Sequence, residues 1–181
     1  MIDVLRSLFP AAGLEPGEST DQPAIRVPAA SLVDVCRALR DHDGLGFVLL
    51  ADITAVDWWP REPRYEVVYH LSSMTQRLRV KVSIDGASPR LPTVQSVWPA
   101  AGWLERETWD MFGIVFEDHG DLRRLLMPDE WEGYPLRKDF PVQIRLRPRS
   151  EQPLQVTESE FRANLERDRA ARADAPGKIG T

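Results

Sequence analysis

The sequence predicts an α+β fold: an antiparallel sheet with helices packed on one face, followed by a long extended C-terminal arm and a short terminal helix. Strand-like segments with alternating apolar residues occupy the middle of the 181-residue chain, and amphipathic helical segments flank them. From residue 118 to residue 153 many apolar side chains remain, but neither a helical nor a strand period persists. A segment of this kind must lay its apolar side chains on its own domain or on another protein.

The first part of the chain contains two predicted helices and a short strand. Residues 2–9 form an amphipathic segment that ends at Pro10, and residues 24–28 are strand-like. A second helix begins after Ser31, a favourable N-cap residue, and places Cys36 on its apolar stripe. A thiol in that position is typical of a small buried side chain rather than of a nucleophile.

Three strands follow, and they carry the predicted sheet. Residues 47–58 are mostly apolar, as expected for a strand inside a sheet, while residues 65–71 and 77–84 alternate. The short segment Ser72–Thr75 between the last two strands suits a hairpin turn. The pattern therefore predicts antiparallel strands with one buried face.

A third helix completes the predicted domain. Pro99 opens it, Gly113 stops it, and a strand-like run follows at residues 113–117. A capping box, Thr157 with Glu160, predicts one more helix near the end of the chain. The predicted parts are an α+β domain, an extended partner-binding arm, and a C-terminal helix with its tail, at residues 1–117, 118–156 and 157–181.

Composition argues against several classes of protein. The net charge of −5 does not favour nucleic acid as the main partner. A single cysteine allows no internal disulfide and cannot ligate an iron–sulfur cluster alone. The histidines His42, His70 and His119 lack metal-ligand spacing. The chain has neither a membrane-length apolar run nor a signal-peptide pattern, which predicts a cytosolic protein.

One acidic cluster allows a catalytic alternative. In the segment 105-ERETWD-110, Glu107 and Asp110 share a helix face with Trp103, so a free-standing acid/base hydrolase is geometrically possible. The competing interpretation is a charged helix face with Arg106 alongside. Turnover by the purified chain, lost in Glu107→Gln, would distinguish the two.

Two further motifs point to protein contacts. Arg145, Arg147 and Arg149 alternate, so on an extended chain they face one way and suit an acidic protein surface better than nucleic acid. Trp58 and Trp59 at a strand end favour a sheet corner or a partner contact over a base-stacking platform. From its residues alone, the chain is best interpreted as an interaction or scaffold protein.

The segment 105–142 resembles the signature of one family, the C subunit of respiratory NADH:quinone oxidoreductase (complex I), also called the thirty-kilodalton subunit. It departs from the family pattern at Asp118–Asp121 and at Tyr134, which are loop positions. The matching residues are Glu105, Arg106, Glu107, Trp109, Asp110, Met111, Phe112, Gly113, Ile114, Phe116, residues 122–128, residues 131–133 and residues 135–141.

This resemblance implies a peripheral-arm subunit on the cytoplasmic side of the bacterial inner membrane, in a complex that moves electrons from NADH to quinone and pumps protons. It implies that FMN, the iron–sulfur clusters and the quinone are bound by other subunits. The main partner would be the D subunit, here called the quinone-site subunit, which shapes the quinone cavity together with the B subunit. A homologous subunit of a membrane-bound hydrogenase or of a plastid-type complex is the close alternative. The chain ends near residue 181, so the form fused to the quinone-site subunit is not expected.

The resemblance also implies where the partner binds. Aromatic and apolar side chains of the arm would anchor it on the quinone-site subunit, and charged side chains would fix its register. The expected interface residues are Trp131, Tyr134, Pro135, Leu136, Arg137, Lys138, Asp139, Phe140, Arg145 and Arg147. The signature residues on and after the third helix are Glu105, Arg106, Glu107, Asp110, Phe112 and Gly113. No catalytic, cofactor-binding or metal-binding residue is expected in this chain.

Overall fold

A computed structural model describes residues 2–141, 159, 162–163 and 165–167. The chain divides into two compact units, Met1–Pro141 and Val142–Thr181. The described residues of the second unit are helical and fall within the predicted C-terminal helix. Arg145, Arg147 and Arg149 lie outside the described residues.

The central strands form where the sequence alternates, because alternation places one set of side chains on each face of a sheet. They are β3 (Leu49–Asp57), β4 (Tyr65–Ser72) and β5 (Arg77–Ile84). β4 pairs antiparallel with both neighbours. A hydrogen bond from Ser73 N to Gln76 O, 2.8 Å long, closes the predicted hairpin turn.

Short strands complete the sheets and were not all predicted. β1 (Glu15–Pro16) and β2 (Ala24–Arg26) extend the main sheet, whose order is β1-β2-β5-β4-β3. β2 runs parallel to β5, so the sheet is mixed at this edge. β6 (Arg90–Pro92) pairs parallel with β7 (Val115–Glu117) in a second sheet. Strands of two or three residues are too short to show a period in the sequence.

Three helices lie in the first unit: α1 (Ile2–Leu8), α2 (Leu32–Asp41) and α3 (Ala101–Phe112). A 3₁₀ turn, Ala29–Ser31, precedes α2, and the Ser31 side chain makes no capping hydrogen bond. The helix thus begins where predicted without the predicted cap.

The helices and the buried strand face share one hydrophobic core. Leu5 of α1, Cys36 of α2 and Tyr69 of β4 are fully buried members of it. The thiol is therefore a packed core group, as predicted, and burial raises its pKa. On β5 the residues of the other face, Arg79 and Lys81 among them, are partly exposed. The α+β class with its central sheet is confirmed.

The structure divides the chain into compact units after Pro141, and the predicted partner-binding role of residues 118–156 stays a prediction. Residues 118–141, here called the tethered segment, belong to the same compact unit as the sheet, so the unit does not end at residue 117. None of the helices that the structure describes has the length and apolar character needed to cross a lipid bilayer.

Candidate functional site

The Asp110 carboxylate of α3 holds the first part of the tethered segment. Its side chain is fully buried, and Oδ1 accepts a hydrogen bond from Arg124 Nη1 at 2.7 Å. Burial acts to raise the pKa of Asp110, but the donors outweigh it, so the pKa lies below its usual value. Three backbone N–H groups also donate to Oδ2, at 3.0, 2.8 and 2.9 Å, from Leu125, Leu126 and Met127.

The Arg124 guanidinium extends this connection along the tethered segment. Its Nη2 atom donates to Trp131 O at 2.6 Å and to Gly133 O at 3.1 Å. The guanidinium carbon also lies 5.7 Å from the ring centre of Trp109 and 5.6 Å from that of Tyr134. One buried ion pair therefore fixes two separate turns of the segment against α3.

Arg106 provides a second attachment one helical turn earlier. Its Nε and Nη2 atoms donate to the carbonyl oxygens of Arg123 and Arg124, at 3.1 and 3.0 Å. Its Nη1 atom lies 3.7 Å from the Asp121 carboxylate. Because Arg106 and Asp110 are four residues apart, both face the same side of α3. This side of the helix binds backbone groups of its own chain.

The C-terminal end of α3 receives the second half of the tethered segment. Arg137 Nε donates to Phe112 O at 2.5 Å, and so pairs one of the last helix carbonyls, which lack an intrahelical donor. The Arg137 guanidinium stacks between two rings, 4.4 Å from the centre of Tyr134 and 5.7 Å from that of Tyr65. Gly113, with a φ of +74°, leaves room for this arrangement.

A buried ion-pair cluster on the sheet fixes the end of the segment. The Asp57 carboxylate accepts Arg64 Nε and Nη2 at 2.9 and 2.8 Å, and the backbone N–H groups of Trp59 and Lys138 at 2.9 Å each. Arg64 Nη2 also lies 2.8 Å from Asp139 Oδ1. The Arg64 guanidinium is the main reason that the pKa of Asp57 falls to about 2. This cluster therefore remains charged down to acidic pH.

Glu105, the first signature residue, is a buried carboxyl of a different kind. It is 0% exposed, and its oxygens accept Thr93 Oγ1 at 2.5 Å and Val94 N at 2.8 Å. His119 Nε2 lies 3.9 Å away. Burial without a guanidinium partner raises the pKa of Glu105 to about 7. This side chain connects α3 to the segment that follows β6.

The two carboxyls of the hydrolase alternative, those of Glu107 and Asp110, lie in different environments. Asp110 is buried and occupied by four donors, whereas Glu107 is exposed on α3. A buried carboxylate bound by four donors, like that of Asp110, is neither a base with a free lone pair nor a proton donor near neutral pH. The pair offers no acid/base geometry. In the described ranges, His, Cys, Asp and Glu side chains do not gather in any group of three that could hold a metal ion.

The expected interface residues point in two directions. Arg137 bonds inward, Phe140 stacks on Trp131 with ring centres 6.3 Å apart, and Tyr134 and Pro135 are partly buried. Their role in binding a partner stays a prediction. The exposed interface residues are Trp131, Leu136, Lys138 and Asp139. Asp139 is exposed although it pairs with Arg64.

Sequence reasoning gave no role to Asp57, Arg64 and Arg124, which hold the tethered segment together. Asp57 ends a strand and Arg64 comes just before the next, a spacing that could have suggested a cross-strand ion pair. No comparable pattern in the sequence indicated a role for Arg124, because its partners are mainly backbone carbonyls.

The fold and the tethered segment define a class of protein, a small α+β domain with an irregular segment bound to its own surface. A family model described as "Respiratory-chain NADH dehydrogenase, 30 Kd subunit" matches residues 25–145, and the chain belongs to this family. The resemblance drawn from the signature is thereby confirmed.

Curated relatives carry the same assignment. The chain is 46% identical over 144 residues to the C subunit of NADH-quinone oxidoreductase from Roseiflexus sp. (strain RS-1), covering 78% of this chain and 83% of the relative. It is 51% identical over 121 residues to the corresponding protein of Paramagnetospirillum magneticum, covering 66% of this chain and 60% of the relative.

Two solved structures share the fold. A trypsin-resistant fragment (1-134) of Nqo5 aligns with a TM-score of 0.55 and 32% identity, over 67% of this chain and 98% of that one. A chain of the membrane-bound sulfane sulfur reductase, an archaeal respiratory membrane complex, aligns with a TM-score of 0.65 and 30% identity, over 87% of this chain and 95% of that one.

Replacing Gly113 by Ala is expected to destabilise the first unit by more than backbone strain alone. An L-residue in this left-handed conformation costs roughly 1–2 kcal/mol. The new Cβ would also lie 2.5 Å from Tyr134 Cε2 and too close to the Arg137 guanidinium. Urea unfolding measures the loss.

Gly44 provides the matched control, because its φ is +87° but nothing lies within 4 Å of a Cβ built there. Gly44→Ala should show the strain alone. Equal losses in the two variants would contradict the tight contact between Gly113 and the tethered segment.

Proposed function

We propose that this chain is a non-catalytic structural subunit of the peripheral arm of a proton-pumping NADH-quinone oxidoreductase, docked on the quinone-site subunit. The observation that carries the proposal is the use of the buried charges. Asp110 and Arg124 bind each other and backbone groups. Asp57 likewise binds Arg64 and backbone groups instead of facing a substrate cavity. Such a network fixes the shape of a scaffold.

The same network supports a proposed location for the partner surface. Because the tethered segment is bound to its own domain, its outward side chains are the ones free to meet the quinone-site subunit. Trp131 and Leu136 are 39% and 54% exposed, and large apolar side chains of this kind are favourable anchors. The residues from 142 onward, with Arg145 and Arg147, supply the rest of the proposed contact.

The proposed role assigns all cofactors to other subunits. FMN, the iron–sulfur clusters and the quinone would be bound elsewhere in the complex, on the cytoplasmic side of the inner membrane. The sole cysteine, Cys36, is fully buried in the core, which supports this division because a thiolate ligand must reach its metal.

A chain that ends at Pro141 is expected to keep the first unit folded and to lose most of its binding to the quinone-site subunit. A chain that ends at Pro128 should instead be unstable, because Arg124 loses two carbonyl partners and Arg64 loses Asp139. The measurement is co-purification with the tagged partner, together with thermal unfolding of each chain.

The two truncations separate folding from assembly. Full-length chain that fails to co-purify with its own quinone-site subunit would contradict the proposed function. If a chain ending at Pro141 binds as well as the full chain, residues 142–181 do not contribute to the interface.

A related membrane complex is the second candidate, because the archaeal sulfane sulfur reductase contains a chain of the same fold at 30% identity. The higher identities, 46% and 51%, are to NADH-quinone oxidoreductase subunits and favour the first. NADH oxidation by the purified complex would distinguish the two candidates.

A further inference from the structure

Two tryptophans stand exposed on the turn between β3 and β4. Trp58 and Trp59 are 42% and 51% exposed, at the end of a strand whose inward side chains are buried in the core. Tryptophan is among the residue types most enriched where binding energy concentrates in protein interfaces. An exposed pair therefore needs an explanation.

The turn that carries these rings is held in one conformation. Trp58 N donates to Arg64 O at 2.8 Å, and Arg61 N donates to Trp58 O at 3.0 Å. The Glu62 carboxylate accepts Arg64 N at 2.9 Å and Gly86 N at 3.0 Å, which ties the turn to the segment after β5. A partner that binds the rings does not have to order the backbone first, so little binding energy is lost to entropy.

The charges of the Asp57 cluster beside the turn are paired within the chain. Buried Asp57 pairs with Arg64 and accepts two backbone N–H groups, and the exposed Asp139 also pairs with Arg64. The large apolar surface at this end of the sheet is that of the two indole rings, and the exposed Arg61 lies next to them in the turn. An apolar depression on another protein that seats the rings and leaves Arg61 in solvent at its rim would bury no unpaired charge.

The turn also lies beside the end of the tethered segment. One carboxylate, that of Asp57, accepts the backbone N–H groups of both Trp59 and Lys138, each at 2.9 Å. Three residues later, at Pro141, the first unit ends and the chain continues for forty residues, 142–181. A partner that binds the exposed side chain of Lys138 would therefore lie close to the turn that carries the tryptophans.

We propose that the Trp58–Trp59 turn is a second contact for the quinone-site subunit, with both indole rings seated in an apolar depression of that partner. The inference rests on the proposed function, which supplies the partner. It adds a surface from the sheet domain to the contact made by Trp131 and Leu136. Both surfaces belong to the first unit, so each raises the effective concentration of the other.

The test uses the full chain with its own purified quinone-site subunit, and measures Kd by biolayer interferometry. The double variant Trp58→Ser/Trp59→Ser is expected to weaken binding at least about tenfold, and Trp58→Tyr/Trp59→Tyr should recover much of the loss. Trp103→Ser is the matched control, since Trp103 is 63% exposed on α3. Circular dichroism and thermal unfolding confirm that each variant is folded.

Hydrogen exchange of the unaltered chain gives a readout that does not depend on any variant. Residues 58–62 should gain protection when the partner is added. Unchanged affinity of the double variant and unchanged exchange in the turn would overturn the inference while leaving the proposed function intact. Loss of self-association in the double variant, with partner binding retained, would also overturn it, because the rings would then meet a second copy. No binding by the unaltered chain would instead contradict the proposed function.

Discussion

Replacing Asp110 by Ala is expected to lower the free energy of unfolding of the first unit by about 3–5 kcal/mol, the range for breaking a buried ion pair by removing one partner. The Arg124 guanidinium, whose side chain is 12% exposed, would lose its carboxylate. Three backbone N–H groups, of residues 125–127, would lose their acceptor as well. Both losses arise in places that water reaches poorly.

Urea unfolding followed by tryptophan fluorescence measures this effect. All six tryptophans lie between residues 58 and 131, so the signal reports on the first unit. Glu107→Ala, three residues away on the same helix and exposed, should change the free energy of unfolding by less than about 0.5 kcal/mol. A loss below about 1 kcal/mol in Asp110→Ala would show that the carboxylate does not hold the segment.

The same contacts explain why the signature segment combines acids, bases and aromatic residues. Arg124 bonds to carbonyl groups of the segment, Arg137 caps the end of α3, and Asp139 pairs with Arg64. Arg137 and Asp139 were expected to bind a partner directly. Both also bind groups of their own chain, and their direct contact with a partner stays a prediction.

The sequence predicted the elements that have a period. Residues 65–71 and 77–84 form adjacent antiparallel strands because alternation decides which side chains enter the core. α3 ends at Phe112, and Gly113 follows it in a left-handed conformation. Glycine adopts this conformation readily because it has no Cβ. The family signature includes Asp110, Arg124 and Arg137, which bind the tethered segment to α3, but not Asp57 and Arg64.

The direction of the tethered segment could not be predicted in the same way. Its conformation depends on side chains that bind distant backbone groups. The Asp110 carboxylate, for example, accepts the N–H groups of residues 15 to 17 positions further along the chain. Such contacts have no period and require no particular residue type at the backbone partner. An irregular segment rich in apolar residues therefore fits its own domain and a foreign surface equally well on sequence grounds.

The first unit is expected to lose about 2.5 kcal/mol of stability between pH 5 and pH 8 through Glu105 alone. Each unit of pKa shift corresponds to about 1.4 kcal/mol, and part of the full effect is already lost at pH 5. The pKa of Glu105 rises from 4.5 to about 7 on folding, so the folded state binds the proton more tightly. Its stabilising contribution is complete below pH 4.5 and is lost as the pH rises through 7. His119 does not hydrogen-bond to Glu105, because its Nε2 atom lies 3.9 Å from Glu105 Oε2.

Glu105→Gln isolates this contribution, because an amide keeps an acceptor for Val94 N and never ionises. The difference in unfolding free energy between the variant and the unaltered chain should shift in favour of the variant by about 2.5 kcal/mol as the pH rises from 5 to 8. Asp57 does not contribute in this window, since its pKa of about 2 keeps it ionised throughout. Parallel stability curves for the two proteins would mean that Glu105 is ionised in the folded unit at pH 5. Its contacts with Thr93 and Val94 would then be strong enough to offset the burial of a full charge.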